Sequence, residues 1–140
     1  MEATDRRIVD LLRKDGRLSY TDLGKILGLS TSAAHQRVRR LEERGVITGY
    51  TVRIDADQVG LPITAFISVT PVDPGAADDI PERLRELSEI EACYSVAGDE
   101  NYILKIRCGT PSDLEDLIGR IRAAAAVSTR TTVVLSTPWE

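Results

Sequence analysis

Three glycines, Gly16, Gly28 and Gly45, divide the start of the chain into short segments of helical period, and each segment opens on a residue able to cap a helix. Thr4 precedes Ile8, Leu11 and Leu12, which share one helical face, and Asp15-Gly16 supplies the stop. Ser19, with Asp22 three residues later, resembles a capping box ahead of Leu23, Ile26 and Leu27; Gly28 can take the left-handed conformation that ends this second helix. Ser30 then opens a third helix that reaches about Arg44 and is closed by Gly45. The connection Gly28-Leu29-Ser30 is short enough to hold the second and third helices at the steep angle of a DNA-binding helix-turn-helix.

Advancing about 100° per residue, the third helix puts Ala34, Val38 and Leu41 on one face and Ser32, Gln36, Arg39 and Glu43 on the opposite one. The residue types on the outer face suit base edges: arginine pairs with guanine, glutamine with adenine, and serine or histidine reads donors or acceptors. The expected base-reading group is therefore Ser32, His35, Gln36 and Arg39. Thr31, Arg37, Arg40 and Arg44 are expected at phosphates, with Tyr20 and Thr21 adding backbone contacts from the start of the second helix and Ser30, the cap of the third, counted in the same DNA-binding set. Charge points the same way. The chain carries a net charge of −4, yet residues 1–50 hold ten basic against seven acidic side chains and residues 51–140 hold eight against fifteen.

After Gly45 the period turns to alternation. Val46–Ile54 is β-rich and predicts a wing or a linker strand, so the expected division is a helix-turn-helix over 1–48, a linker strand over 49–61 and a second domain over 62–140. Within the second domain Ile63–Val72 predicts a strand, Asp78–Leu87 a helix with Pro81 in its first turn, and Ile90–Ala97 with Tyr102–Cys108 a hairpin about Gly98-Asp99-Glu100-Asn101. Thr110-Pro111-Ser112-Asp113 starts another helix, and Val127–Thr137, rich in β-branched residues, reads as the last strand. The order βαββαβ is the ferredoxin-like arrangement, giving an α+β fold class for the whole: a winged helix-turn-helix followed by a ferredoxin-like domain. The first strand carries Phe66 on the side opposite Ala65, Ile67 and Val69, so a single helix layer leaves one face wanting a partner; a two-fold dimer is the default closure.

The run Asp5-Arg6-Arg7-Ile8-Val9, Leu11-Leu12, Asp15-Gly16-Arg17, Leu23, Gly28-Leu29-Ser30, Val38, Arg40-Leu41-Glu42 and Gly45-Val46-Ile47 resembles the Lrp/AsnC, or feast/famine, family of regulators. The resemblance implies a homodimer joined through the C-terminal sheets and assembled further into an octamer, binding double-stranded promoter DNA and answering to an amino acid. It implies that the ferredoxin-like domain is the effector and oligomerisation domain, with an effector site near the hairpin, here Gly98, Asp99, Glu100, Asn101 and Tyr102; beside these, Thr129, Thr131 and Thr132 of the last strand are expected to be placed to line the same pocket. Where family members often carry aspartate this chain has Asn101, leaving Asp99 and Glu100 as the carboxylates near an effector's ammonium.

No signal-peptide or membrane-spanning pattern appears, so a cytoplasmic location without membrane association is expected. His35 is the single histidine, and with only Cys93 and Cys108 beside it no clustered metal site can be assembled; both thiols are expected to be reduced packing residues. No phosphate loop, dinucleotide fingerprint or nucleophile elbow is present, so neither catalysis nor a cofactor other than the effector is expected. Two other classes stand beside the regulator: a ferredoxin-like enzyme built on Tyr94, Tyr102 and the cysteines, and a helix-turn-helix used only for protein contacts.

Overall fold

The computed structural model describes residues 1–140, which divide into two compact units, Met1–Arg53 and Ile54–Glu140. The first unit is three helices: α1 (Ala3–Lys14), α2 (Tyr20–Leu27) and α3 (Thr31–Glu43). Side chains from the three helices, Ile8, Leu23, Ala34, Val38 and Leu41, bury completely and form its core. The caps that fix α2 and α3 are local. Ser19 accepts from the Asp22 amide at 3.0 Å and Ser30 from the Ala33 amide at 3.1 Å, each satisfying a donor that the helix leaves unpaired. Gly28, with φ 69°, closes α2. The start of α1 differs from expectation: it begins at Ala3 after Glu2, without a side-chain cap, and Thr4 lies inside the helix. Ile26 also departs from the expected apolar stripe and is exposed, while Leu23 alone of the three is fully buried.

The second unit is a four-stranded antiparallel sheet of order β2-β3-β1-β4 with two helices on one face. Its elements are β1 (Ile63–Pro71), α4 (Ile80–Leu84), β2 (Ile90–Ser95), β3 (Tyr102–Cys108), α5 (Pro111–Ala125) and β4 (Val127–Val133). Alternation along β1 and β3 sends Ala65, Ile67, Val69, Tyr102, Leu104, Ile106 and Cys108 against Leu117 and Ile121 of α5 and Ile80 and Leu84 of α4. α5 opens on a full capping box, with Thr110 accepting from the Asp113 amide and Asp113 from the Thr110 amide, and Pro111 in the first turn. This is the ferredoxin-like order expected.

Several expected elements come out shorter, β1 ending at Pro71 and β2 at Ser95 among them. α4 is only five residues long: Asp79, at φ −122°, lies outside the helix, and after Leu84 the chain leaves it in a tighter turn in which the Leu87 amide donates to the Leu84 carbonyl. β4 stops at Val133, which pairs with Ala65, because β1 itself begins two residues away, just after Pro62. The linker strand expected over 49–61 is not formed. Residues 49–55 have no regular secondary structure and no ladder partners, and Asp57–Gly60 turn back on themselves, with Leu61 donating to the Ala56 carbonyl. A strand exists only where its amides meet a neighbour, and nothing in the chain pairs with this segment.

Candidate DNA-binding face and effector hairpin

In the helical unit, Ala34, Val38 and Leu41 turn α3 inward and leave Ser32, His35, Gln36, Arg39 and Arg40 exposed along one side. Arg39 pairs with Glu43 one turn on, at 3.0 Å between two exposed side chains, a contact that solvent screens and a phosphate or base can displace. At the N-terminal end of this side, Thr31 donates to Thr21 at 3.3 Å, and the rings of Tyr20 and His35 stack with centroids 4.4 Å apart. Ser30 is occupied by its cap and by the Ser32 hydroxyl at 3.3 Å.

Arg37 departs from the phosphate-contacting role expected of it. Its guanidinium donates to Asp5 at 2.9 Å and Glu2 at 3.0 Å, so it faces α1 and ties the first helix to the third. The two carboxylates, Asp5 before Glu2, raise its pKa further above the ordinary range. Position 37 borders the apolar face of α3, where the nearest partners are on α1. Asp5, only 8% exposed, was missed from sequence; its signal is an acidic residue three positions before Ile8 on the inward side of α1. Gly24 was missed too. A Cβ there would lie 2.5 Å from the Leu29 carbonyl oxygen, so the close return of the turn against α2 requires glycine.

In the sheet unit the hairpin residues Gly98–Asn101 join β2 to β3, and the Asn101 amide donates to the Val69 carbonyl at 3.1 Å. Glu100 bends over the helix-free face of the sheet, where Ser68 donates to it at 3.2 Å and Arg130 lies 3.8 Å away. Tyr102 goes the other way. It is buried on the helix-covered face, and its hydroxyl donates to both oxygens of Asp78, at 2.8 and 2.9 Å. That hydrogen bond, then burial, pushes the phenol up to about 12. Thr131 lies opposite Ile67 on β4, the edge strand two places from β3, and shares the side on which Thr129 accepts from Arg122 of α5. The single chain therefore places Tyr102 and Thr131 on the helix-covered side of the sheet and Glu100 on the other; Glu100 lies in the loop before β3 begins, outside the strand's alternation. The helix-free face carries Phe66, 37% exposed, and Tyr94, 49% exposed, and its cations Lys105, Arg107 and Arg130 each have a carboxylate partner, Glu140, Glu91 and Glu100. Cys108 packs in the core, but Cys93 is exposed, contrary to the packing role expected, because β2 is an edge strand and α4 is short.

Residues 1–48 match the model of a winged helix-turn-helix DNA-binding domain, and residues 64–140 match the Lrp/AsnC ligand binding domain. The chain belongs to the Lrp/AsnC family. Among curated relatives, the HTH-type transcriptional regulator LrpA of Mycobacterium tuberculosis is 47% identical over 137 residues, covering 98% of this chain and 91% of that protein. The leucine-responsive regulatory protein of Escherichia coli is 36% identical over 140 residues, covering 96% and 85%. A solved feast or famine regulatory protein from M. tuberculosis, complexed with L-methionine, superposes with TM-score 0.97 at 47% identity, covering 99% and 95%. LrpC of Bacillus subtilis superposes with TM-score 0.88 at 32% identity, covering 98% and 96%. This Lrp/AsnC protein is accordingly a DNA-binding transcription regulator with a small-molecule ligand domain, and its relatives are named as regulators, not enzymes. No helix of it is long and apolar enough to cross a membrane.

Proposed function

We propose that this Lrp/AsnC protein reads double-stranded promoter DNA with the outward side of α3 and changes its binding or assembly when an amino acid occupies the C-terminal domain. The observation that carries the reading is the row Ser32, His35, Gln36, Arg39 and Arg40, exposed and free of any part in the core. Ser30, Thr31, Thr21 and Tyr20 lie at the N-terminal end of the same side, where backbone amides favour phosphate. Arg37 is left out of the contact set. Residues 1–48 and 62–140 serve as the two working domains, joined by 49–61.

An amino acid is favoured as effector by the relative complexed with L-methionine and by those named leucine-responsive. Gly98, Asp99, Glu100 and Asn101 are the residues assigned to it, with Glu100 held ready for an ammonium group by Ser68. Tyr102 supports the hairpin from below through Asp78, and Thr131 enters the site only if a neighbouring subunit closes it. The exposed Phe66 and Tyr94 fit a homodimer closed across the helix-free face, with an octamer as the larger assembly and the cytoplasm as the place of action.

The test is DNA affinity of the full-length protein measured with each of the twenty amino acids in turn, alongside light scattering. One or a few amino acids shift affinity or particle mass if the reading holds. Identical affinity and mass with all twenty would remove the effector from it.

A further inference from the structure

Tyr20 is the first residue of α2, and His35 lies on the outward side of α3 one turn from its start. Their rings stack, centroids 4.4 Å apart and planes inclined by 22°. Neither ring belongs to the core, and both are exposed. The unit's fold is accounted for by its buried aliphatic residues and caps, so the stack orders two surface side chains that the fold does not need ordered. It sits beside the Thr21–Thr31 hydrogen bond, which links the same two helix starts.

We infer that Tyr20 is a positioning residue for DNA readout, holding the His35 imidazole so that its ring edge meets one base pair in the major groove. The inference rests on the reading of α3 as the recognition helix. A histidine alone on an exposed helix face samples several staggered rotamers, and immobilising it costs affinity at the moment of binding. With one ring face covered by Tyr20, the imidazole is held in one orientation before DNA arrives. Its edge, carrying an N–H donor, is what remains to offer, and the major groove presents matching acceptors at purine N7 and guanine O6. Tyr20 thus shapes the preference at a base pair through His35, without needing to touch that base itself.

The experiment is enrichment of duplexes carrying a randomised stretch by the full-length protein, by Tyr20→Ala, Tyr20→Phe and His35→Ala, and by the alanine double variant. Tyr20→Ala and His35→Ala are expected to flatten preference at the same base pair, each by about three- to tenfold. Tyr20→Phe keeps the stack and the preference, and the double variant is no flatter than His35→Ala. The salt dependence of affinity stays as in the parent, because the backbone amides at the start of α2, to which the phosphate contacts there are assigned, remain in every variant. The inference is overturned if Tyr20→Ala leaves that base pair unaffected, alters a different one, or weakens all sequences equally. A parent protein that enriches no sequence overturns the recognition-helix reading and this inference with it, an outcome visible before any variant is compared.

Discussion

Asp5 of α1 and Arg37 of α3, thirty-two residues apart, meet at 2.9 Å with the carboxylate almost wholly buried. The contact joins the first helix to the flank of α3, so it fixes α3 against α1 while taking Arg37 out of the outward row. Removing Asp5 leaves the half-buried Arg37 with only the exposed Glu2 as its partner and takes away the better-shielded contact between the two helices. Asp5→Ala is expected to lower the thermal midpoint of the helical unit by roughly 4 °C or more, followed by far-UV circular dichroism. Glu2→Ala, removing the more exposed partner, should have a much smaller effect.

Gly24 makes the second stability prediction. With its Cβ position 2.5 Å from the Leu29 carbonyl oxygen, Gly24→Ala must push the turn away from α2. A cost of about 1 to 3 kcal/mol is expected, as for overpacked sites, together with weakened DNA binding. Gly28→Ala meets no neighbouring atom but carries the strain of φ 69°. Denaturant titration of each variant checks both, and an unaltered Gly24→Ala protein would show that the turn is looser than described.

Acid sensitivity should concentrate at Glu89 in the sheet unit. The Arg120 guanidinium hydrogen-bonds this carboxylate and holds it below the usual carboxylate range, with a backbone hydrogen bond helping. Since the folded value is depressed, the pair's contribution is complete above the unfolded value of about 4.3 and is lost as pH falls through the folded one. Glu89→Gln is expected to be modestly less stable than the parent at neutral pH, modestly because Arg120 is partly solvent-screened. The difference should shrink on acidification. Denaturation midpoints measured down through the carboxylate range check the sign.

Phe66 tests the proposed dimer. A charge placed in the middle of the helix-free face opposes closure of two copies across it, while the side chain makes no part of the chain's own core. Phe66→Glu should weaken dimerisation about tenfold or more, read as a lower mass by light scattering at matched concentration. An unchanged mass would place the subunit contact elsewhere.

What was legible in the sequence was local or periodic. Ser19, Ser30 and the Thr110 to Asp113 box act within three residues, so their chemistry is written side by side; the alternation in β1 and β3 fixes which side chains reach the core before any partner strand is known. What was not legible depends on meetings across the chain. Arg37 looked free because Asp5 is distant in sequence, and Gly24 looked like an ordinary helix position because the Leu29 carbonyl returns to it only in three dimensions. The hairpin was found as a turn, but strand phase would send Glu100 and Tyr102, two residues apart, the same way; they point oppositely because Glu100 lies in the loop before β3 begins, a conformation that the pattern of residues does not convey. Val46–Ile54 had strand composition and lacked a strand's partner.

The most direct measurement is affinity for an enriched duplex as a function of salt, for the parent, Arg39→Ala and Arg40→Ala. Log affinity should fall steeply and linearly with log salt for the parent, and Arg40→Ala should reduce that slope by about 1. Arg39→Ala should lose about 1 to 3 kcal/mol of discrimination at a single base pair. A flat salt response, or an Arg39→Ala protein that protects the same sequences with the parent's affinity, would contradict the assignment of this side of α3 to DNA.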